Sequence, residues 1–93
     1  MKIGSAIVTF RAEWVHSLKE KRMVIKSLIE KTRHKYNVSI AEVDTPDNHQ
    51  ILTIGFACVS NSAQHIDAML AQVLNFMENV TDAEMIAVQQ EII

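Results

Sequence analysis

The spacing of apolar residues along this chain switches between a period of two and a period of 3.6, and that switching restricts the fold more than any other feature. Residues 3–12 alternate, with Ala6, Val8 and Phe10 on one face and Ser5, Ile7, Thr9 and Arg11 on the other. That is the pattern of a half-buried strand. A connection at 13–16 holds the only tryptophan, Trp14. From Ser17 the period becomes helical. Ser17 and Glu20 have the S-x-x-E spacing of a capping box, in which each side chain satisfies the other residue's backbone N–H. Leu18, Ile25, Leu28, Ile29, Thr32 and Tyr36 then fall on one side at 100° per residue, and Asn37 is the expected stop.

Alternation returns at 38–43, with Val38 and Ile40 on one face. Asp44 to His49 (D-T-P-D-N-H) is a turn signal in which Pro46 fixes φ and the Asp and Asn side chains bond the local backbone. A third strand is expected over 50–59, with Leu52, Ile54, Phe56 and Cys58 on its bulky face and Thr53, Gly55 and Ala57 on its smooth one. Asn61, with Gln64 three residues on, is the expected cap of a second helix. The apolar stripe of that helix is Ile66, Leu70, Val73, Leu74 and Met77. Residues 84–92 close the chain as a strand, with Ile86 and Val88 inward.

The order is β-α-β-β-α-β. Two interleaved right-handed βαβ units with these lengths give the split βαβ, ferredoxin-like α+β fold. It is expected as a single domain over residues 1–93. The sheet has four antiparallel strands, the first and third central, with both helices on one face. The other face carries Ile7, Ala41, Val43, Thr53, Ala57 and Met85. A mild, partly apolar face of this kind suits a second copy or a partner, so a homodimeric protein-interaction or ligand-sensing module is one functional reading.

Charge supplies the other reading. The net charge is −2, yet seven bases and two acids lie between Ser17 and Tyr36, so that segment is +5 and the remainder −7. An asymmetry of this size within one domain makes a local positive field. On a helical wheel Lys19, Arg22, Lys26 and Arg33 share one flank, and Lys31 and Lys35 the other. Lys21 sits at the edge of the apolar stripe, where its stem packs while its ammonium is expected to reach water. Three of these bases occupy the first turn and a half, where the helix dipole favours acids and each base costs about 0.3–1 kcal/mol. Free N–H groups at that end attract anions. A local cost of this sort points to function. The expected phosphate contacts are Lys19, Lys21, Arg22, Lys26 and Arg33, supported by Ser17 and Glu20 at the helix start. Trp14 is a candidate aromatic contact, and a solvated helix face explains the same bases without function.

Other chemistries find little support. Cys58 is the only cysteine, so no internal disulfide forms, which fits a reducing, cytoplasmic location. No leader pattern is visible and no stretch nears the roughly 18 apolar residues a bilayer requires. His16, His34, His49 and His65 lack metal-ligand spacing. No glycine-rich phosphate loop is present. The third strand partly matches an RNA-recognition signature at Gly55, Phe56, Ala57 and Val59, but Ile54 and Cys58 replace its base and second aromatic. The expectation is a chain with no enzymatic activity, no metal and no cofactor.

At S-L-K-E-K-R (Ser17 to Arg22), N-V-S-I-A-E-V (Asn37 to Val43) and I-G-F-A-C-V-S-N (Ile54 to Asn61) the sequence resembles the YlxP-like (DUF503) family. The resemblance spans nearly the whole chain, though A-E-W-V-H before the first motif departs from the small-residue loop of many relatives. It implies a ferredoxin-like fold and no established enzymatic activity. It also implies a link to RNA or the ribosome, and the motif points to Ser17, Lys19, Glu20, Lys21 and Arg22.

Overall fold

Each change of apolar period marks an element boundary in the computed structural model, which describes residues 1–93. The elements are β1 (Lys2–Arg11), α1 (Leu18–Lys35), β2 (Ser39–Asp44), β3 (Ile51–Ser60), α2 (Ala63–Val80) and β4 (Glu84–Ile92). The strands form one antiparallel sheet in the order β2-β3-β1-β4, so β1 and β3 are central as expected. Ala6, Val8 and Phe10 of β1 stand opposite Phe56, Ile54 and Leu52 of β3. Directly opposed residues share a face, and this face meets Ile25 and Leu28 of α1 and Ile66, Leu70, Val73 and Met77 of α2 in a single core.

Close packing of α2 depends on Gly4. A Cβ built there would lie 2.2 Å from Ile66 Cγ2, so the helix sits where only a glycine leaves room. On the open face Val43 folds over Gly55 instead. The ladder between β2 and β3 shifts register between Glu42 and Asp44. Glu42, opposite Ile54, is therefore turned to the helix side of the sheet.

Four local expectations are corrected. The N-cap of α2 is Ser62, which accepts from the His65 N–H, and not Asn61. α1 ends on Tyr36 in extended backbone rather than on a left-handed Asn37. Tyr36 is anchored edge-on to Phe76, which fixes where the chain leaves the helix. A bulge in β4 sets Met85 opposite Phe10, so Met85 packs on the core and leaves the open face. The same bulge makes Ile86 the extra residue, and it is exposed rather than inward. Val88 keeps its expected face, opposite Val8, but β4 lies at the rim and the side chain stays 38% exposed.

Candidate nucleic-acid interface

The start of α1 is held by its own side chains. Ser17 Oγ accepts the Glu20 N–H at 3.1 Å, and Glu20 Oε1 accepts the His16 N–H at 2.8 Å. The reciprocal bond thus reaches one residue further back than a standard capping box. Val15, wholly buried just before it, pins the incoming loop to the core. Ser17 and Glu20 thus hold the first turn of α1 in place.

Lys21 does not remain a phosphate ligand. Its side chain is 1% exposed and lies on the inward stripe with Ile25, Leu28 and Thr32. Its ammonium donates to the Thr45 carbonyl and, at 2.7 Å, to the Asn48 carbonyl, and it stands 3.2 Å from Glu42 Oε2. Glu42 Oε2 is shielded from water and accepts no hydrogen bond, so the ammonium charge is what balances it. The physical reason is the turn after β2. Thr45 adopts φ 52°, the only non-glycine residue with positive φ, and the turn directs two carbonyls at the helix. A lysine reaching both joins α1 to the β2–β3 turn.

The remaining cations divide between two flanks. Lys19, Arg22 and Lys26 are exposed, and none pairs with a carboxylate of the chain. Arg33 continues their line and donates from Nη2 to the Ile40 carbonyl at 3.2 Å, which places this flank along β2. Four residues at i, i+3, i+7 and i+14 on one flank span about 21 Å of helix. The opposite flank faces α2, where Lys35 sits 5.1 Å above the Phe76 ring. Trp14, 43% exposed, lies on that second side in a groove with Met23, Val24, Lys31 and Val80. The structure therefore brings Lys19, Arg22, Lys26 and Arg33 together and leaves Trp14 away from them.

The missed residue is Glu42. Its alternation within N-V-S-I-A-E-V placed it on the same face as Val38 and Ile40, and an acid at a core position beside a lysine-bearing helix was the available signal. Cys58 is buried, and burial pushes its thiol pKa up against the smaller lowering effect of a hydrogen bond from the Gly4 backbone. No helix is long and apolar enough to cross a membrane.

These features define a class: a ferredoxin-like split βαβ domain with a line of unpaired cations along the outer flank of its first helix. The chain belongs to the family described as "Protein of unknown function (DUF503)", whose family model matches residues 3–90. It is 38% identical over 68 residues to "Uncharacterized protein YlxP" of Bacillus subtilis (strain 168), covering 73% of this chain and 74% of that protein. Two designed proteins share the fold. One, titled as a de novo design with ferredoxin fold, superposes with a TM-score of 0.54 at 9% identity, over 99% of this chain and 84% of its own. The other, "De novo designed protein Foldit4", gives 0.51 at 14% identity, over 100% and 97%. At such identities the likeness is one of fold.

Proposed function

We propose that this chain is a non-catalytic RNA-binding or ribosome-associated module, gripping phosphates along the β2-side flank of α1. The observation that carries the reading is the contrast within one helix. Lys21 is neutralised inside the fold, whereas Lys19, Arg22 and Lys26 are exposed and form no ion pair with an acid of the chain. Arg33 extends the line, with one of its five N–H donors occupied by Ile40. Cations held in a row on a rigid helix, without ion pairs inside the chain, attract a polyanion that the chain's net charge of −2 would otherwise repel. The contacts are to phosphate, so binding carries little sequence preference.

Four phosphate contacts give a log–log salt slope of about −2.8 on single-stranded RNA. The test is fluorescence anisotropy with such an RNA at several salt concentrations. A chain carrying Lys19→Glu, Arg22→Glu and Lys26→Glu together retains its circular-dichroism spectrum and loses binding. Any residual slope falls to about −0.7, one contact's worth. Undiminished affinity in the folded triple variant refutes the reading.

A further inference from the structure

The two edges of the sheet end differently. β2 has six residues, a register shift within it, and the Arg33 guanidinium on its Ile40 carbonyl, with Lys21 holding the turn just beyond. Short length, a bulge and a covering cation are the usual protections of an edge strand. β4 has nine residues, E-M-I-A-V-Q-Q-E-I, with no lysine, arginine or proline, and its backbone receives no side-chain hydrogen bond. Its single bulge lies near its beginning, at Ile86, and the ladder from Ala87 onward is uninterrupted.

The hydrogen-bond alternation says which groups are free. Ile3 and Ile93 exchange both backbone bonds at 2.9 Å. In an antiparallel ladder the neighbouring residues alternate, so Ala87, Gln89 and Glu91 bond to β1 while Val88, Gln90 and Ile92 turn N–H and C=O outward. Those outward residues are also where apolar surface is left over. Val88 and Ile92 are each 38% exposed, and both face the helix side, opposite Val8 and Gly4. Ile93, beyond them, is more exposed still.

We propose that β4 is a self-association edge, at which a second copy of this chain pairs antiparallel about a two-fold axis through Gln90. In that register Val88 of one copy faces Ile92 of the other, Gln90 faces Gln90, and Ile92 faces Val88. All three outward residues of each copy become hydrogen-bonded pairs. On the opposite face Ala87 meets Ile93, and Glu91 meets Gln89 rather than a second glutamate. A register one residue closer to the bulge, centred on Gln89, would draw in Ile86, and one centred on Glu91 would set the two Glu91 side chains directly opposite each other. The Gln90 register stays clear of the bulge, sets apolar against apolar and avoids directly opposed like charges. This self-complementarity is what a two-fold interface requires of a single patch, and it favours a second copy over a foreign strand. The two four-stranded sheets become one continuous sheet with all helices on the same side.

The experiment is sedimentation of the full chain across the micromolar range, with Gln90→Pro and Gln90→Cys variants. Proline at 90 removes an N–H that the domain itself leaves unused and is tolerated on an edge strand. The expected result is a wild-type dimer and a folded Gln90→Pro monomer, with the dissociation constant raised about tenfold or more. Gln90→Cys is expected to oxidise to a covalent dimer, because facing residues of a hydrogen-bonded pair have Cα atoms about 5.5 Å apart, within disulfide range. Buried Cys58 leaves the wild type uncrosslinked under the same oxidant. A chain that stays monomeric overturns the proposal. So does a dimer that survives Gln90→Pro and is lost on Ile7→Glu, the signature of pairing through the open sheet face, and so does failure of Gln90→Cys to crosslink.

Discussion

Replacing Lys21 by Met separates the structural cation from those proposed to meet RNA. The methionine keeps most of the buried stem and removes the ammonium. Two charge-assisted hydrogen bonds are lost, to the carbonyls of Thr45 and Asn48. Bonds of this kind contribute about 1.5–3 kcal/mol each. Asn48 is exposed and Thr45 half-buried, so their carbonyls regain some water and the pair of bonds is worth about 2–3 kcal/mol, at or just below the low end of the summed range. Glu42 is then left without its counter-ion. Its side chain is 29% exposed, which lets solvent screen part of the penalty and leaves about 1 kcal/mol more. The sum, about 3–4 kcal/mol, is a large fraction of the roughly 5–15 kcal/mol of a typical domain. In a domain of this size it lowers Tm by about 15 °C or more. Urea unfolding followed by circular dichroism measures it. Adding Glu42→Met should restore much of the loss, because an apolar pair replaces a buried ionic one at little cost. Two results refute the reasoning: a Lys21→Met chain within about 0.5 kcal/mol of wild type, the range of an ordinary surface substitution, or a folded Lys21→Met chain that has lost RNA affinity.

Two further outcomes test the packing. Gly4→Ala should destabilise by about 1–3 kcal/mol, since its Cβ meets Ile66 at 2.2 Å and α2 must shift, and the same urea titration reads it. The Cys58 thiol, with its pKa raised by burial, should react slowly with a thiol reagent at neutral pH and quickly once urea exposes it. The folded thiol holds its proton where the unfolded one has lost it, so its contribution to stability is intact below the unfolded pKa and is lost as pH rises from there through the higher folded pKa.

Apolar period alone located all six elements, because each buries one face and the period records which residues face inward. Boundaries failed where a contact distant in sequence decided them. Tyr36 leaves α1 because Phe76 is there to receive it, and Met85 displaces Ile86 because β1 runs past a bulge that no residue of E-M-I-A-V announces. Charge followed the same rule. Lys19, Lys21 and Arg22 look alike on a count of bases, and the wheel put Lys21 at the stripe's edge, where a lysine ordinarily reaches for water. What turned it inward was a turn 24 residues away with carbonyls aimed at it. Local spacing cannot report that.

Salt distinguishes the proposed RNA surface from the proposed β4 association edge by sign. α1 carries +5, while α2 and β4 carry −2 each. A polyanion is therefore drawn to the α1 flank and repelled from the α2–β4 side, so the two surfaces do not compete. Screening weakens the first interaction, with the slope of about −2.8 derived above. Pairing through β4 obeys the opposite rule. With Gln90 on the axis, the Glu91 side chains of the two copies lie diagonally across the new ladder, about 7–8 Å apart. That is within the Debye length of about 8 Å at physiological salt, so their repulsion is felt at low ionic strength and fades as salt is added. Sedimentation and anisotropy on the same salt series should show dimerisation tightening while RNA affinity falls. A dimer loosened by salt in step with RNA release would mean that the cations of α1, and not the apolar edge of β4, hold the two copies together.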